Sequence, residues 1–265
     1  MSTLTTTGVL PSDRLRQVAV TVAEVFCVLG TLFGVGVLGT RVAESSGGAL
    51  AADATLIAPA GPAFGIWTPI YLGLAAFTVF QWLPTQATEP RHRAIGWLAA
   101  ASMVLNAAWL LVTQQDWIWA SVVVMAALVV TLGLLVRRLE EHPSYGHGET
   151  VVVDGTFGLY LGWVAVAACA NVTAALVASG VDPGGSAAQL AAVVVLAVAA
   201  GVGVLLARRL GGRWAVAVAM AWGLLWIAWG RLAEEPRSTI VALTAVVAAA
   251  VVLAATARVH AAGRA

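Results

Sequence analysis

Eight apolar runs of roughly 20 residues each divide the chain: Val18–Thr40, 62–83, Ala94–Thr113, Trp117–Val136, Val152–Ala178, Ala188–Ala207, Trp214–Trp229 and Thr239–Ala257. Coiled as an α-helix, a run of that length spans the hydrocarbon layer of a bilayer. Within lipid only helices and closed barrels satisfy their own backbone polar groups. Composition points the same way. Of 265 residues, 60% are hydrophobic and 10% charged, and the mean hydropathy is +0.91. A soluble fold of that composition would have to expose a largely apolar surface. The expected class is an all-α, polytopic membrane protein, a bundle of about eight transmembrane helices.

Charge placement predicts the topology. All 14 basic residues are arginine, and the net charge of +1 gives no sign of a nucleic-acid partner. With the N-terminus in the cytoplasm, the inner segments hold Arg14, Arg16, Arg91, Arg93, Arg137, Arg138, Arg208, Arg209, Arg213, Arg258 and Arg264. The outer segments hold Arg41, Arg231 and Arg237. That asymmetry follows the positive-inside rule. Both termini are expected in the cytoplasm, with the protein in the cell (inner) membrane.

Several chemistries are disfavoured. Cys27 and Cys169 fall inside apolar runs and read as small packing residues. His92, His142, His147 and His260 read as loop or tail residues, so none is placed to ligate a haem iron in the bundle. His142, His147 and Glu149 lie close in sequence but read as a solvated loop, not a metal site. There is no phosphate-binding glycine loop, HExxH or GxSxG pattern. Neither a catalytic acid–base pair nor a cofactor is expected.

The second run carries the richest pattern, PAGPAFGIWTPIYLGLAAFTVFQWLP over Pro59–Pro84. At about 100° per residue, Phe64, Trp67, Tyr71, Leu74, Thr78 and Gln81 share one side. Aromatic rings with polar tips suit a partly apolar pocket more than a lipid-facing stripe. Pro69 predicts a kink beside Trp67 and Thr68. In the third run Ser102, Asn106, Trp109 and Thr113 share a face; in the fifth, Tyr160, Trp163, Ala167 and Asn171 do. An asparagine in mid-membrane needs a partner. Two of them beside tryptophans suggest facing walls of one cavity, although each could instead bond a neighbouring helix. Trp222, Trp226 and Trp229 form a further stripe on the seventh run, read as packing or as a second aromatic surface.

These residues resemble a known family. Trp67-Thr68-Pro69-Ile70-Tyr71, after Phe64-Gly65 and two prolines, resembles the FGPVWTxxY run of the tryptophan-rich sensory protein (TspO) family, which includes the translocator protein or peripheral benzodiazepine receptor. Asn106-Ala107-Ala108-Trp109 is similar to its third-helix NxxW. Tyr160-x-x-Trp163-Val164 followed by Asn171 is similar to its fifth-helix motif. The resemblance covers about residues 15–180 and implies a five-helix core, often within a homodimer. Its pocket would bind porphyrins, sterols or drug-like molecules, lined or braced by Phe64, Trp67, Tyr71, Asn106, Trp109, Tyr160, Trp163 and Asn171. The segment from Phe64 to Trp67 is one residue short, and the tryptophan usual after the paired prolines is absent, with Ala63 and Phe64 nearby.

The expected organisation is a cytoplasmic tail to residue 16, a TspO-like core over 17–180, and three additional helices over 181–265. Glu24 lies outside the family pattern. An ionised carboxylate inside the first span would be costly, so a neutral Glu24 donating a hydrogen bond, with Thr21 one candidate acceptor, is expected. Two functions follow: a receptor-like protein binding a hydrophobic or planar ligand, or a transporter of a small hydrophobic or zwitterionic solute with Glu24 as its proton-linked carboxylate.

Overall fold

The computed structural model describes residues 8–144 and 146–263, all of whose regular structure is helical. Residues 1–7 of the expected tail and Arg264 lie outside the described residues. Among the described residues, eight helices are long and apolar enough to cross a membrane: α1 (Pro11–Gly34), α2 (Trp67–Phe80, entered from a 3-10 helix, Gly61–Ile66), α3 (Pro90–Thr113), α4 (Ile118–Glu141), α5 (His147–Ala178), α6 (Gly185–Arg209), α7 (Trp214–Ala233) and α8 (Thr239–Ala262). An even number of crossings puts the start of α1 and the end of α8 at one end of the bundle.

Glycine sets how the helices meet. α1 packs along α3, where Gly30 and Gly34 lie against Ala107 and Leu110. A Cβ at Gly30 would sit 2.8 Å from that of Ala107, so only glycine permits this approach. Gly158 and Gly162 on α5 play the same part toward α7, receiving Ala215 and Ala219. α3 packs on α4, α4 on α5, α5 on α7, α7 on α8, and α8 on α6, while α2 sits between α1 and α5. The three C-terminal helices therefore join the first five through α7, and one apolar core runs through both units. Near its start α5 contains a π-helical stretch, Thr150–Gly155.

Three expectations change. α1 begins at Pro11, seven residues before Val18, because its polar first turns are paired. The Asp13 carboxylate accepts the Leu10 N–H and binds Arg93 at 2.6 Å, while the buried Arg16 donates to the Ala87 carbonyl. His92 is not a loop residue; it is buried in the first turn of α3 and stacks on Phe77 with 5.8 Å between centroids. The kink at Pro69 is replaced by a switch from 3-10 to α winding at Ile66–Trp67. Pro69 then falls in the first turn of α2, where an absent N–H costs least.

Candidate ligand-binding site

The 3-10 entry to α2 turns the aromatic residues toward α1, α3 and α5. Trp67 stacks on Tyr71 with centroids 5.2 Å apart and planes 17° from parallel. It meets Tyr160 and Trp163 edge-on at 5.8 and 6.3 Å, and Phe64 meets Trp163 edge-on at 5.6 Å. Edge-to-face contacts of this kind add to the burial of the rings and hold the cluster in one geometry. Beside it lies a cavity of about 450 Å³. Phe64, Trp67, Tyr71 and Trp109 line one side, Thr31 on α1 another, and the loop after α1 contributes Leu50 and Arg41. A second lobe of about 50 Å³ lies beyond Phe64 and Trp109, lined by Trp163 and Asn171.

Beneath the aromatic rings is a layer of hydrogen bonds. Asn106 Nδ2 donates to the Tyr71 hydroxyl at 3.0 Å and to Cys27 Sγ at 3.3 Å. Tyr160 Oη donates to the Ser102 carbonyl at 3.2 Å. Trp109 Nε1 donates to Asn171 Oδ1 at 2.9 Å, and Asn171 Nδ2 donates to Ser121 Oγ at 2.9 Å. The two asparagines therefore do not face each other across one cavity. Asn106 and Tyr160 brace the site from behind, and Asn171 fixes the Trp109 indole while touching the smaller lobe. Sequence periodicity placed each on the right face of its helix, but a shared face does not reveal which neighbour takes the bond.

Two buried groups stand out. The Trp163 indole N–H has no acceptor among the described residues, although the ring lines the small lobe. Both carboxyl oxygens of Glu24 are buried and likewise lack a partner there. Thr21 does not accept from it: that hydroxyl donates to the Gln17 carbonyl and accepts from Trp82 Nε1. Glu24 lies one turn before Cys27 on α1 and is not in the cavity's lining.

A model of the family described as TSPO-like protein matches residues 20–258. The chain belongs to the TSPO-like family. The match runs beyond the motif resemblance, which ends near residue 180, and through the last three helices. No curated protein and no solved structure was found to match it.

In this TSPO-like chain the last helices contribute directly to the cavity's cover. The buried Arg231, in the last turn of α7, donates to the carbonyls of Thr55 and Ala52, each at 3.1 Å. Trp222 Nε1 donates to the Ala63 carbonyl at 2.8 Å, and the Ala60 N–H donates to the Trp226 carbonyl. The α1–α2 loop and the 3-10 helix are thus tied to α7 at four points. Sequence reading placed Arg231 in an outer loop, because the seventh run was ended at Trp229. An arginine two residues past a tryptophan stripe was the available signal. Arg41 was missed as a rim residue, having been weighed for topology alone.

Proposed function

We propose that this TSPO-like membrane protein binds a planar or rigid, mostly apolar ligand of the porphyrin, tetrapyrrole or sterol-like class, without turning it over. The observation that carries the reading is the stacked Trp67–Tyr71 pair walling a cavity of about 450 Å³, the size of small-molecule pockets. Arg41 is the charged residue of that lining and favours a ligand with an acidic edge group, through a charge-assisted hydrogen bond. The Trp163 ring walls the smaller lobe, and its buried N–H has no acceptor among the described residues. Arginine asymmetry supports cytoplasmic termini in the inner membrane, and a homodimer is the assembly that the resemblance implies. Titrating purified protein with protoporphyrin IX by tryptophan quenching tests the reading. Trp67→Ala should weaken binding by about 1–3 kcal/mol, the scale of a lost aromatic contact; unchanged affinity would remove the site.

A second reading, a solute transporter, is favoured by one observation. Glu24 is a buried carboxyl group without a partner among the described residues, one layer below the Tyr71–Asn106–Cys27 contacts. In proteoliposomes under a proton gradient, transport predicts ligand accumulation that Glu24→Gln abolishes while binding persists. Binding alone predicts no accumulation by either protein.

A further inference from the structure

α5 and α6 follow one another in the chain, yet α6 packs mainly on α8 and a gap is left beside α5 at the end where the two helices join. The gap is a cavity of about 450 Å³, distinct from the aromatic site. Leu176 and Val177 on α5 form one apolar wall, and Ala188, Ala192 and Val195 on α6 form another. From Ala188 to Val195 that wall descends about 10 Å along the helix, at 1.5 Å per residue. The third side is the strip 54–57 of the α1–α2 loop, the same strip whose Thr55 carbonyl is held by Arg231. Thr55 also touches the small aromatic lobe, so one stretch of backbone separates the two spaces. Its hydroxyl is buried and has no partner among the described residues.

The mouth of this cavity has a different chemistry. It holds the N-terminus of the 25-residue α6, started by Gly184 and Gly185 at φ +65° and +48°. Those left-handed positions favour glycine, and no side-chain hydrogen bond caps the helix from its N-cap residue, Gly184. Arg237 and Gln189 stand beside them. The one acid in the lining, Asp182, accepts the Gly184 N–H at 3.1 Å, and Arg237 keeps an exposed pairing with Glu235 at 3.5 Å. Helix N-terminal N–H groups with a guanidinium attract an anion, and the apolar walls below take a hydrocarbon chain.

We propose that this cavity is a second binding site, for a single-chain amphiphile with a carboxylate head, of the fatty-acid class. The chain lies between α5 and α6 against residues 54–57, and the head meets Arg237 and the start of α6. This site stands apart from the aromatic one, so either can fail without the other.

Palmitate and 1-hexadecanol are the probes, with binding to the full-length protein in detergent measured by native mass spectrometry and equilibrium dialysis. Ala188→Trp, which fills the cavity from a half-buried position, should weaken palmitate binding about tenfold or more, or 1.4 kcal/mol per decade. Arg237→Gln should weaken palmitate about threefold, in line with an exposed charge, and leave hexadecanol unchanged. Protoporphyrin affinity should be unaltered in both variants. If Ala188→Trp does not fold, Ala191→Trp at an exposed lining position serves instead. Wild-type palmitate binding in the folded tryptophan variant, or palmitate displaced mole for mole by protoporphyrin, overturns the proposal. Equal losses of palmitate and hexadecanol in Arg237→Gln would overturn the carboxylate head.

Discussion

Between α1 and α5 the interior carries asparagine, tyrosine and tryptophan; between α6 and α8 it carries alanine, valine, leucine and glycine. The first unit leaves room for a ligand and spends buried hydrogen bonds on holding rings around that room. The second packs small side chains closely and sends its polar groups outward to the first. At the loop end these are Arg231 and Trp222 on backbone carbonyls. At the terminal end Arg213 pairs with Asp154, which also binds Arg91 at 2.7 Å, and Arg213 reaches Glu140 at 3.0 Å. One helix, α7, therefore fastens the pocket-bearing unit from both ends, and the contrast suggests that α6–α8 act as the frame against which the pocket's cover is fixed.

Breaking the terminal fastening should have the largest effect. Asp154→Ala removes the carboxylate shared by Arg91, which is 4% exposed, and Arg213, which is 17% exposed. Arg91 keeps Glu149 at 3.2 Å and Arg213 keeps Glu140 at 3.0 Å, so the loss is two charged hydrogen bonds at about 1.5 kcal/mol each, about 3 kcal/mol of stability, read as a lowered thermal midpoint in detergent. A midpoint within error of wild type would mean that the two units do not depend on that pair. Next comes the loop fastening. Arg231→Leu orphans the Thr55 and Ala52 carbonyls and should cost about 2 kcal/mol, with faster proteolysis of residues 41–60 and faster ligand release. Loss of stability with unchanged proteolysis of that loop would make Arg231 a packing residue only. Trp222→Phe keeps an aromatic ring, although a smaller one, and removes the donor to the Ala63 carbonyl, so about 1 kcal/mol is expected, visible as a small change in ligand off-rate. These two variants separate the role of α7 as a clamp from its role as packing.

The existence and order of the helices were legible because bilayer-length apolar runs admit little else. Their bounds were not, since Asp13 and Arg16 look like a solvated tail until Arg93 and the Ala87 carbonyl are brought to them by α3 and the loop before it. The aromatic members of the site were readable from spacing on α2 and from motif resemblance. The roles of Asn106 and Asn171 depended on Tyr71, Cys27, Trp109 and Ser121, partners that only packing supplies. Glu24 shows the limit most sharply. Its depth was evident, yet neither carboxyl oxygen has a hydrogen-bond partner among the described residues, and Thr21, one candidate acceptor, is engaged elsewhere. The α7 clamp lay beyond any local pattern.

That clamp also has a timetable. Thr55 and Arg231 are 176 residues apart. At about 5–20 residues per second, the ribosome delivers Arg231 roughly 10–35 s after Thr55. Throughout that interval α2 and the loop before it lack their final anchors, and the nascent core holds its aromatic rings under a cover not yet tied down. The cover acquires its last fastening only as the seventh helix leaves the ribosome, so the proposed ligand, if already present in the membrane, would meet a more open cavity during synthesis than in the finished fold.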